Sequence, residues 1–496
     1  MMKTKIYFRS DGHSQMGMGH IVRSVALAKM LQPQFNCSFL IKNSGDNVVE
    51  YIQKSGFEFS RLPAGMNENT EATYLTKHYL TGKEIVVLDG YQFDLNYQKI
   101  IKGSGCKLVC IDDIQHSAFT ADAVINHAGG LSSEDFSAEE GTALYLGYQY
   151  LLLREPFLSY TKNQPDIQKK GKEEVFVCLG GADPNNDLIS VLKTCDDHPS
   201  IKKCNVVLGS AYPHHWRLYD FCQNSEMEVQ LFFNLSAAEM VLLMGQHQTA
   251  ICSPSTVALE FLCTEGDLFL HQIADNQSQI LKSLTQGNLA FPLNQIKTVS
   301  DEQKKSAREK RKSLFDGNSD KRIKKIFCRL DNQLQGSLRP TSPNDLYLFF
   351  EWTNEKMTRQ QSFNQQPIPI EDHINWFKRK MASSCCRMYT LEYKKQPVGQ
   401  VRFELDGTTA TINYSIDRHF RGRGMGGYLL EESIRLLQTE EPGIDTIEGF
   451  VKENNTASNR IFIQLGFSIA NIKAVKGSFR YIQQLDTRLL SKEIRA

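Results

Sequence analysis

The sequence predicts two doubly wound α/β lobes followed by a smaller α+β domain. Short apolar runs that end in polar residues alternate with helical stretches, first over residues 5–126 and again over residues 174–270. Such runs between helices are typical of parallel strands covered on both faces. From residue 338 onward, helical stretches precede consecutive strands, which indicates an α+β unit. A chain of 496 residues is long enough for roughly two to four domains.

The first lobe is predicted over residues 1–155 and the second over residues 156–330. The first-lobe strands are expected at Lys5–Phe8, Cys37–Ile41, Ile85–Asp89, Leu108–Asp112 and Ala123–Asn126, with a helix over Ile21–Leu31. The second-lobe strands are expected at Glu174–Leu179, Asn205–Gly209, Thr249–Cys252 and Asp267–Leu270. Because parallel sheets bind ligands at the carboxyl ends of their strands, the polar residues after these runs are candidate site residues.

A linker is predicted over residues 331–337, which are polar and include a glycine and a serine, and the third domain over residues 338–496. Its helices are expected at Asp345–Trp352, Ile370–Met381 and Met425–Gln438, and its strands at Met388–Tyr393, Pro397–Glu404 and Thr409–Ile416, with a last strand at Thr446–Val451. The basic stretch Asp301–Arg329 is interpreted as a solvated helix face with Leu314, Ile323 and Ile326 packed inward.

Composition excludes several classes of protein. A net charge of +1 gives no support for a nucleic-acid or membrane-surface partner. No apolar run approaches the roughly 20 residues that span a bilayer, so no membrane insertion is expected. The start of the chain reads as a first strand and not as a signal peptide. The 12 cysteines are scattered without a CxxC pair, which predicts reduced thiols in a cytoplasmic protein and no zinc site.

The segment from Arg9 to Arg23, RSDGHSQMGMGHIVR, joins the first predicted strand to the first predicted helix. Glycines at 17 and 19 let the backbone approach a bulky anion, and a helix N-terminus favours phosphate. His20 then lies beside the bound group. A histidine titrates near neutral pH and suits a general base. The alternative is that His20 only caps the helix. His13 is interpreted as a loop residue rather than as a second base.

The pattern RxDxxxxxGxGHxxR resembles the UDP-sugar hydrolases of pseudaminic acid biosynthesis, which are similar in fold to the two-lobed, glycosyltransferase-B-type inverting glycosyltransferases. The resemblance covers about the first 330 residues. It includes the segments Asp89–Tyr91, Gly180–Pro184, Ser255–Thr256 with Glu260, and Asp275–Gln277. It implies removal of UDP from a 2,4-diacetamido-2,4,6-trideoxy-L-altrose with inversion and without a metal.

The resemblance also implies roles for individual residues. His20 is the expected base that activates water. The substrate-binding residues are expected to be Asp11, Gly17, Gly19, Arg23, Tyr91, Ser255, Thr256, Glu260, Asn276 and Gln277. Among these, Ser255 and Thr256 would hold the diphosphate and Glu260 the ribose hydroxyls. Glu260 as a surface helix residue and Asn276–Gln277 as a plain helix start remain open. The pair Asp112–Asp113 is interpreted as a cap or polar loop rather than a metal site.

A second motif, Arg421-x-x-Gly424-x-Gly426, follows a predicted strand and opens a helix. Successive backbone amides at such a turn can wrap a pyrophosphate. With Asn455-x-x-Ser458 and the following Leu465–Phe467, it resembles the GNAT acyltransferases over about residues 338–490. That resemblance implies acetyl-CoA as co-substrate. The implied cofactor-binding residues are Arg421, Gly422, Arg423, Gly424, Gly426, Asn455 and Ser458.

The start of this domain resembles the GNAT enzymes that acetylate the 4-amino group of a UDP-linked amino sugar in the same pathway. The tyrosine that usually protonates the leaving thiolate is replaced by Phe462. Tyr414 and Tyr428 are possible substitutes or packing aromatics, and Glu404 and Glu448 are possible bases or structural residues. The domain could also be a degenerate, non-catalytic GNAT.

Together the two resemblances predict a bifunctional enzyme that acts on a UDP-linked amino sugar. The C-terminal domain would acetylate it, and the N-terminal lobes would hydrolyse the product to UDP and free sugar. Two alternatives stay open at this stage. One is a glycosyltransferase in which a sugar acceptor replaces water, and the other is a non-catalytic sugar-nucleotide binder with a CoA-sensing domain.

Overall fold

A computed structural model describes residues 3–12, 18–114, 118–165, 167–169, 171–181, 183–209, 212–470 and 477–485. The chain divides into two compact units, Met1–Phe327 and Cys328–Ala496. His13 and Gly17 lie outside the described residues. None of the described helices combines the length and the apolarity that crossing a bilayer requires.

The first lobe of the first unit is a parallel sheet flanked by helices. Its strands are β1 Lys5–Ser10, β2 Asn36–Ile41, β3 Glu58–Arg61, β4 Ile85–Asp89, β5 Lys107–Ile111, β6 Ala123–Asn126 and β7 Ala143–Leu146. Its helices are α1 Gly19–Leu31, α2 Asp46–Lys54, α3 Glu68–His78 and α4 Leu95–Lys102. The strand order is β3-β2-β1-β4-β5-β6-β7, so the direction of winding reverses between β1 and β4.

The second lobe repeats this architecture. Its helices are α5 Glu155–Asn163, α6 Asp187–Asp196, α7 His215–Asn224, α8 Ala237–Gln246, α9 Thr256–Leu262, α10 Ser278–Gln286 and α11 Asp301–Leu314. Its strands are β8 Glu174–Cys178, β9 Lys203–Leu208, β10 Glu228–Phe233, β11 Thr249–Cys252, β12 Asp267–Leu270 and β13 Phe291–Pro292. They pair in parallel in the order β10-β9-β8-β11-β12-β13, so here the winding reverses between β8 and β11.

The second unit is a mixed sheet with helices. Helix α12 Ser319–Gln335 crosses the unit boundary, and α13 Leu346–Asn354, α14 Lys356–Gln361, α15 Ile370–Met381, α16 Met425–Glu440 and α17 Thr456–Gln464 follow. The strands are β14 Gly336–Pro340, β15 Cys386–Tyr393, β16 Gln396–Asp406, β17 Thr409–Ile416, β18 Thr446–Lys452, β19 Ser468–Ile469 and β20 Ser478–Gln484. The order is β14-β15-β16-β17-β18-β20-β19. Strands β17 and β18 pair in parallel over Thr409–Thr411 and separate beyond Thr411, although both strands continue for several residues.

The predicted fold class is confirmed, and every predicted strand is present to within two residues. The apolar runs form the cores because their side chains are fully buried; Phe8, Val87 and Val177 are each 0% exposed. Four strands of the first unit were missed: β3, β7, β10 and β13. They lie at sheet edges and are short or only half-buried, so their local signals are weaker than those of the central strands.

Three local expectations were wrong. Residues 331–337 are not a linker, because α12 continues to Gln335 and β14 begins at Gly336. The strand at Thr446 is not the last, since β20 pairs beside it and completes the sheet. Leu314 is 40% exposed, and the following residue, Phe315, is buried instead; Ile323 and Ile326 are buried as predicted.

Candidate active sites

The first candidate site lies where the winding of the first lobe reverses. His20 is in the first turn of α1, the helix that follows β1, and Asp89 is the last residue of β4. Strands β1 and β4 are neighbours, and Ser10 pairs with Asp89. Since the loops leave such a sheet in opposite directions at this point, a crevice forms outside the strand ends, and ligands bind there.

Asp89 is the centre of a buried hydrogen-bonded cluster. It is 1% exposed and accepts hydrogen bonds from three residues of one face of α1. His20 Nδ1 lies 2.7 Å from Asp89 Oδ1, Arg23 Nε donates to both carboxylate oxygens at 2.9 Å, and Ser24 Oγ donates to Oδ2 at 2.8 Å. The spacing of three and four residues along α1 brings these side chains together.

The charge of Asp89 assigns the tautomer of His20. Burial opposes ionisation of this carboxyl, but the charges and hydrogen bonds of Arg23 and His20 hold its pKa well below the ordinary value. An ionised carboxylate only accepts hydrogen bonds, so the 2.7 Å contact favours the hydrogen on His20 Nδ1, although the donor Arg23 Nη2 lies 2.9 Å from the same nitrogen. His20 Nε2 is then the acceptor nitrogen, and it makes no hydrogen bond to any described residue.

The cluster extends to a second carboxylate and to the second lobe. Arg23 Nη1 donates to Asp113 Oδ2 at 2.6 Å, and Tyr91 OH donates to the same oxygen at 3.3 Å. The Tyr91 ring stands edge-on to the His20 ring, with centroids 4.8 Å apart. Asn276 of the second lobe lies 3.5 Å from Tyr91 OH. The structure therefore brings four predicted site residues together.

Sequence reasoning gave Asp113 no part in this site and gave Asp89 no role of its own. Their only local signal is that each follows a buried apolar run at the binding edge of the sheet. Burial opposes ionisation of Asp113, but Arg23 and His20 outweigh it, so its pKa is lowered. Arg23 is therefore held between two carboxylates, and its guanidinium donates its hydrogen bonds to Asp89 and Asp113.

Asp11 is engaged in holding the start of the glycine-rich segment. Its Oδ2 accepts from Arg9 Nη1 at 2.7 Å, and its Oδ1 accepts from the backbone of Lys42 at 2.7 Å and from Ser44 Oγ at 3.1 Å. The Ser44 hydroxyl also accepts from the backbone N–H of Gly12. Direct substrate binding by Asp11 stays a prediction, as it does for the exposed Gly19.

In the second lobe, the predicted nucleotide residues flank its own reversal point. Ser255 and Thr256 are half-buried at the start of α9, and the Ser255 side chain makes no capping hydrogen bond there. Glu260 is 2% exposed and paired with Arg154 at 2.6 and 2.7 Å. Gln277 accepts a hydrogen bond from the backbone of Ile273. Glu260 is thus not a surface residue, and ribose binding by it stays a prediction.

The second candidate site is the turn between β17 and α16. Gly422 and Gly424 have φ of +78° and +76°, a left-handed conformation that favours glycine. An added Cβ at Gly426 would lie 3.0 Å from Ile461 Cδ1, so the first turn of α16 packs closely on α17. The Arg421 side chain donates to Ile416 O, Glu355 Oε2 and Thr358 Oγ1. Arg421 therefore holds the turn in place; contact with a cofactor stays a prediction, as it does for Arg423.

The left-handed turn gives a direct prediction. Replacing Gly424 by alanine is expected to weaken CoA binding by about 5- to 30-fold, because the strain of a Cβ at this φ costs about 1–2 kcal/mol and shifts the turn. The control is Gly427→Ala, two residues into the same helix, where an added Cβ meets nothing within 4 Å. Calorimetric titration with CoA measures both. Equal affinities in the two variants would contradict the prediction.

The aromatic and hydroxyl groups near this turn are also located. Phe462 is buried between Phe467 and Tyr481, with ring centroids 4.8 and 5.0 Å away. Tyr414 OH donates to Ser458 Oγ at 2.9 Å, whereas Tyr428 OH donates to the backbone of Gly336 at 3.1 Å. Tyr414 and Ser458 bridge β17 and α17.

The remaining predicted residues of this unit have structural partners. Asn455 accepts a hydrogen bond from the backbone of Ser458 and so caps α17. Glu404 pairs with Lys380 and Arg402, and Glu448 pairs with Arg480. These ion pairs favour the structural interpretation of both glutamates.

The folds define the class of each part of the protein. The two Rossmann-like lobes of the first unit form a glycosyltransferase-B-like pair with a candidate site at each reversal point. The second unit is a GNAT domain, and residues 337–468 match the acetyltransferase (GNAT) domain family.

Known proteins resemble the chain in both parts. An uncharacterized protein of Methanocaldococcus jannaschii is 24% identical over 93% of this chain and 96% of its own length. The UDP-2,4-diacetamido-2,4,6-trideoxy-beta-L-altropyranose hydrolase of Campylobacter jejuni is 25% identical over 53% of this chain and 89% of its own length. The spore coat polysaccharide biosynthesis protein SpsG of Bacillus subtilis is 25% identical over 59% of this chain and 84% of its own length. The predicted resemblance to a UDP-sugar hydrolase fused to a GNAT domain is confirmed.

Proposed function

We propose that the chain is a bifunctional enzyme of UDP-amino-sugar metabolism. The GNAT domain acetylates the 4-amino group of a UDP-linked amino sugar, and the first unit hydrolyses the resulting UDP-2,4-diacetamido-2,4,6-trideoxy-β-L-altropyranose to UDP and free sugar. The observation that carries the proposal is the His20–Asp89 pair, with His20 Nε2 available as an acceptor at the reversal point of the first lobe. The similarity to the Campylobacter jejuni hydrolase supports the choice of substrate.

Hydrolysis follows from the geometry of this pair. A water molecule attacks the anomeric carbon from the face opposite UDP, and one of its protons moves to His20 Nε2. The bond from the anomeric carbon to the phosphate oxygen breaks, and its electron pair leaves with UDP, so the configuration inverts. Asp89 stabilises the imidazolium that forms and keeps the ring oriented. The N-termini of α1 and α9 and the hydroxyls of Ser255 and Thr256 stabilise the departing diphosphate.

Acetyl transfer uses the turn before α16. Acetyl-CoA supplies the acetyl group and leaves as CoA. Backbone amides from Gly422 to Gly426 bind the pyrophosphate, since left-handed glycines in a turn direct successive N–H groups outward. The neutral amine attacks the thioester carbonyl carbon, the C–S bond breaks, and the amine nitrogen releases one proton to solvent. Ser458 passes its hydroxyl proton to the departing sulfur and takes one from Tyr414, which regains a proton from solvent; this relay replaces the tyrosine that position 462 lacks.

Two incubations followed by NMR test the whole proposal. The first contains the full chain and the UDP-diacetamido sugar without any acceptor, and free sugar and UDP are the expected products. Release of UDP only after a sugar acceptor is added would instead identify a glycosyltransferase. The second contains the UDP-4-amino sugar and acetyl-CoA, and 4-acetamido product followed by free sugar is expected. Failure of acetylation alone would identify a non-catalytic GNAT domain.

Substitution of His20 tests the base. His20→Ala is expected to lower kcat for UDP release by about 10²- to 10⁴-fold, because no other described group offers an acceptor nitrogen at Asp89. The affinity for UDP, measured by calorimetry, should stay within threefold, and the acetyltransferase activity of the same preparation serves as a control for folding. Unchanged turnover would exclude His20 as the base and favour a binding role.

A further inference from the structure

His127 is a buried histidine that the mechanism above does not use. It directly follows β6 and is 4% exposed. Its Nδ1 atom is buried and makes no hydrogen bond to any described residue. Buried polar atoms are almost always paired, because leaving one unpaired costs the hydrogen bond it would make with water. An unpaired nitrogen at this position, at the binding edge of the sheet, therefore points to a partner beyond the residues that the structure describes, and a bound ligand is such a partner.

A second unpaired atom lies at the end of the neighbouring strand, β5. Asp113 Oδ2 binds Arg23 and Tyr91, but Asp113 Oδ1 is buried without a hydrogen-bond partner among the described residues. The preceding residues are joined, since Asn126 Nδ2 donates to Asp112 Oδ2 at 3.1 Å. Asp113 and His127 are the residues that directly follow this bonded pair. They therefore lie on neighbouring strand ends, and neighbouring strands are about 4.8 Å apart.

These atoms belong to a wider pattern. Within the described residues of the first lobe, the buried side-chain atoms without partners are Ser10 Oγ, Gln92 Oε1, Asp113 Oδ1 and His127 Nδ1. All four residues lie at the carboxyl ends of the adjacent strands β1, β4, β5 and β6. Unpaired atoms scattered by chance would not gather at the one edge that holds His20 and Asp89.

The position of His127 is fixed by the backbone that follows it. Gly129 lies against the Tyr148 ring so closely that an added Cβ would be 2.3 Å from a ring carbon. Tyr148 OH is hydrogen-bonded to Ser283 Oγ of α10 at 2.9 Å.

Burial first, and then the charge of Arg23, lower the pKa of His127 to about 4, although Asp113 and Asp89 oppose this. The ring is therefore neutral at pH 7 and offers one donor and one acceptor.

We propose that Asp113 Oδ1 and His127 Nδ1 together bind one hydroxyl group of the substrate sugar. The hydroxyl donates to the carboxylate and accepts from the imidazole N–H at a single oxygen atom. An acetamido group does not fit this pair, because its N–H and C=O point in opposite directions. The inference rests on the proposed function. In a 2,4-diacetamido-2,4,6-trideoxy sugar linked to UDP, the hydroxyl on C3 is the one that remains free.

The test compares two substrates and two proteins. The full chain and its His127→Phe variant are assayed for UDP release from the UDP-diacetamido sugar and from its 3-deoxy analogue. The variant is expected to lose about 10- to 100-fold in kcat/KM on the parent substrate, the usual range for a lost hydrogen bond to a buried group, and less than threefold on the analogue. Equal losses on both substrates, or no loss on either, would overturn the inference.

Two further variants separate binding from folding. His127→Gln keeps an N–H donor and should recover part of the parent-substrate rate. His127→Phe should not lower the melting temperature, because its Nδ1 makes no hydrogen bond to any residue in the described part of the chain. The matched control is His247→Phe in the second lobe, whose ring nitrogens are bonded to Asn205 Nδ2 at 2.8 Å and to Leu243 O at 2.7 Å, and it should lower the melting temperature. A lowered melting temperature for both His127 variants would instead assign His127 a structural role.

Failure of the proposed function gives a different result. If the wild-type chain releases no UDP from the parent substrate, the hydrolase proposal fails. The inference is then decided by calorimetric affinities for the same two UDP-sugars. A variant that loses affinity only for the parent sugar supports it, and identical affinities of both proteins for both sugars overturn it.

Discussion

Replacing Asp89 by asparagine is expected to lower kcat for UDP release by about 10³- to 10⁴-fold while the protein stays folded. The side-chain volume is kept, but the amide can present an N–H to His20 Nδ1. The ring hydrogen then moves to Nε2, and the nitrogen that should accept the proton from water becomes a donor. The lost charge also leaves the imidazolium that forms during the reaction without its 2.7 Å counter-ion.

The chain supplies its own control for this variant. Asp89 belongs to the first unit, so acetyl transfer by the GNAT domain of the same preparation should be unchanged. A milder control is Ser24→Ala, which removes one neutral donor to Asp89 Oδ2 and should cost less than tenfold in kcat. Full turnover by Asp89→Asn would mean that Asp89 neither sets the tautomer of His20 nor stabilises its protonated ring during the reaction.

The strand interiors and the turn motifs were predictable because their signals are local. Ile85–Asp89 and Thr249–Cys252 are short apolar runs, the first of which ends in a carboxylate, and the structure gives both the predicted bounds. The segment around Gly19 and His20 indicates a strand, then a turn and then a helix. In such places the backbone conformation, the burial and the chemistry agree over a few residues.

The partners within the sites were not predictable, because they depend on pairing between distant segments. Arg23 meets Asp113 across 90 residues, and no periodicity connects them. Arg421 matches a cofactor motif, yet its guanidinium is bound to Glu355, 66 residues earlier. In the sequence, Asp113 looks like any other carboxylate that follows a strand. Its place in the site depends on the sheet order, which puts β5 beside β4.

The start of the glycine-rich segment is held by a buried ion network around Glu71. Arg9 Nε donates to Glu71 Oε1 at 2.6 Å, Lys42 Nζ lies 3.1 Å from Oε2, and Tyr97 OH donates to Oε1 at 2.9 Å. The side chains of Arg9 and Glu71 are 1% and 3% exposed. Removing one partner of a buried pair leaves the other charge without compensation, which is far more costly than removing a surface pair.

Glu71→Ala is therefore expected to lower the free energy of unfolding of the first unit by about 3–5 kcal/mol at pH 7. Burial opposes ionisation of Glu71, but Arg9, Lys42 and Tyr97 outweigh it and lower its pKa. The stabilisation is thus present above the unfolded pKa of about 4.3 and is lost as the pH falls through the folded value. The difference in stability between the wild type and the variant should accordingly shrink in acid.

Hydrogen exchange in urea, read on peptides that cover β1 and α3, measures this effect in the right part of the chain. Tryptophan fluorescence is less suitable, because Trp352 and Trp376 lie in the second unit and Trp216 is 88% exposed. The matched control is Glu50→Ala, which removes an exposed pair with Lys54 and should leave exchange unchanged. If Glu71→Ala exchanges like the Glu50 variant, the network does not stabilise the first lobe. The position of His20 would then depend on Asp89 and the packing of α1.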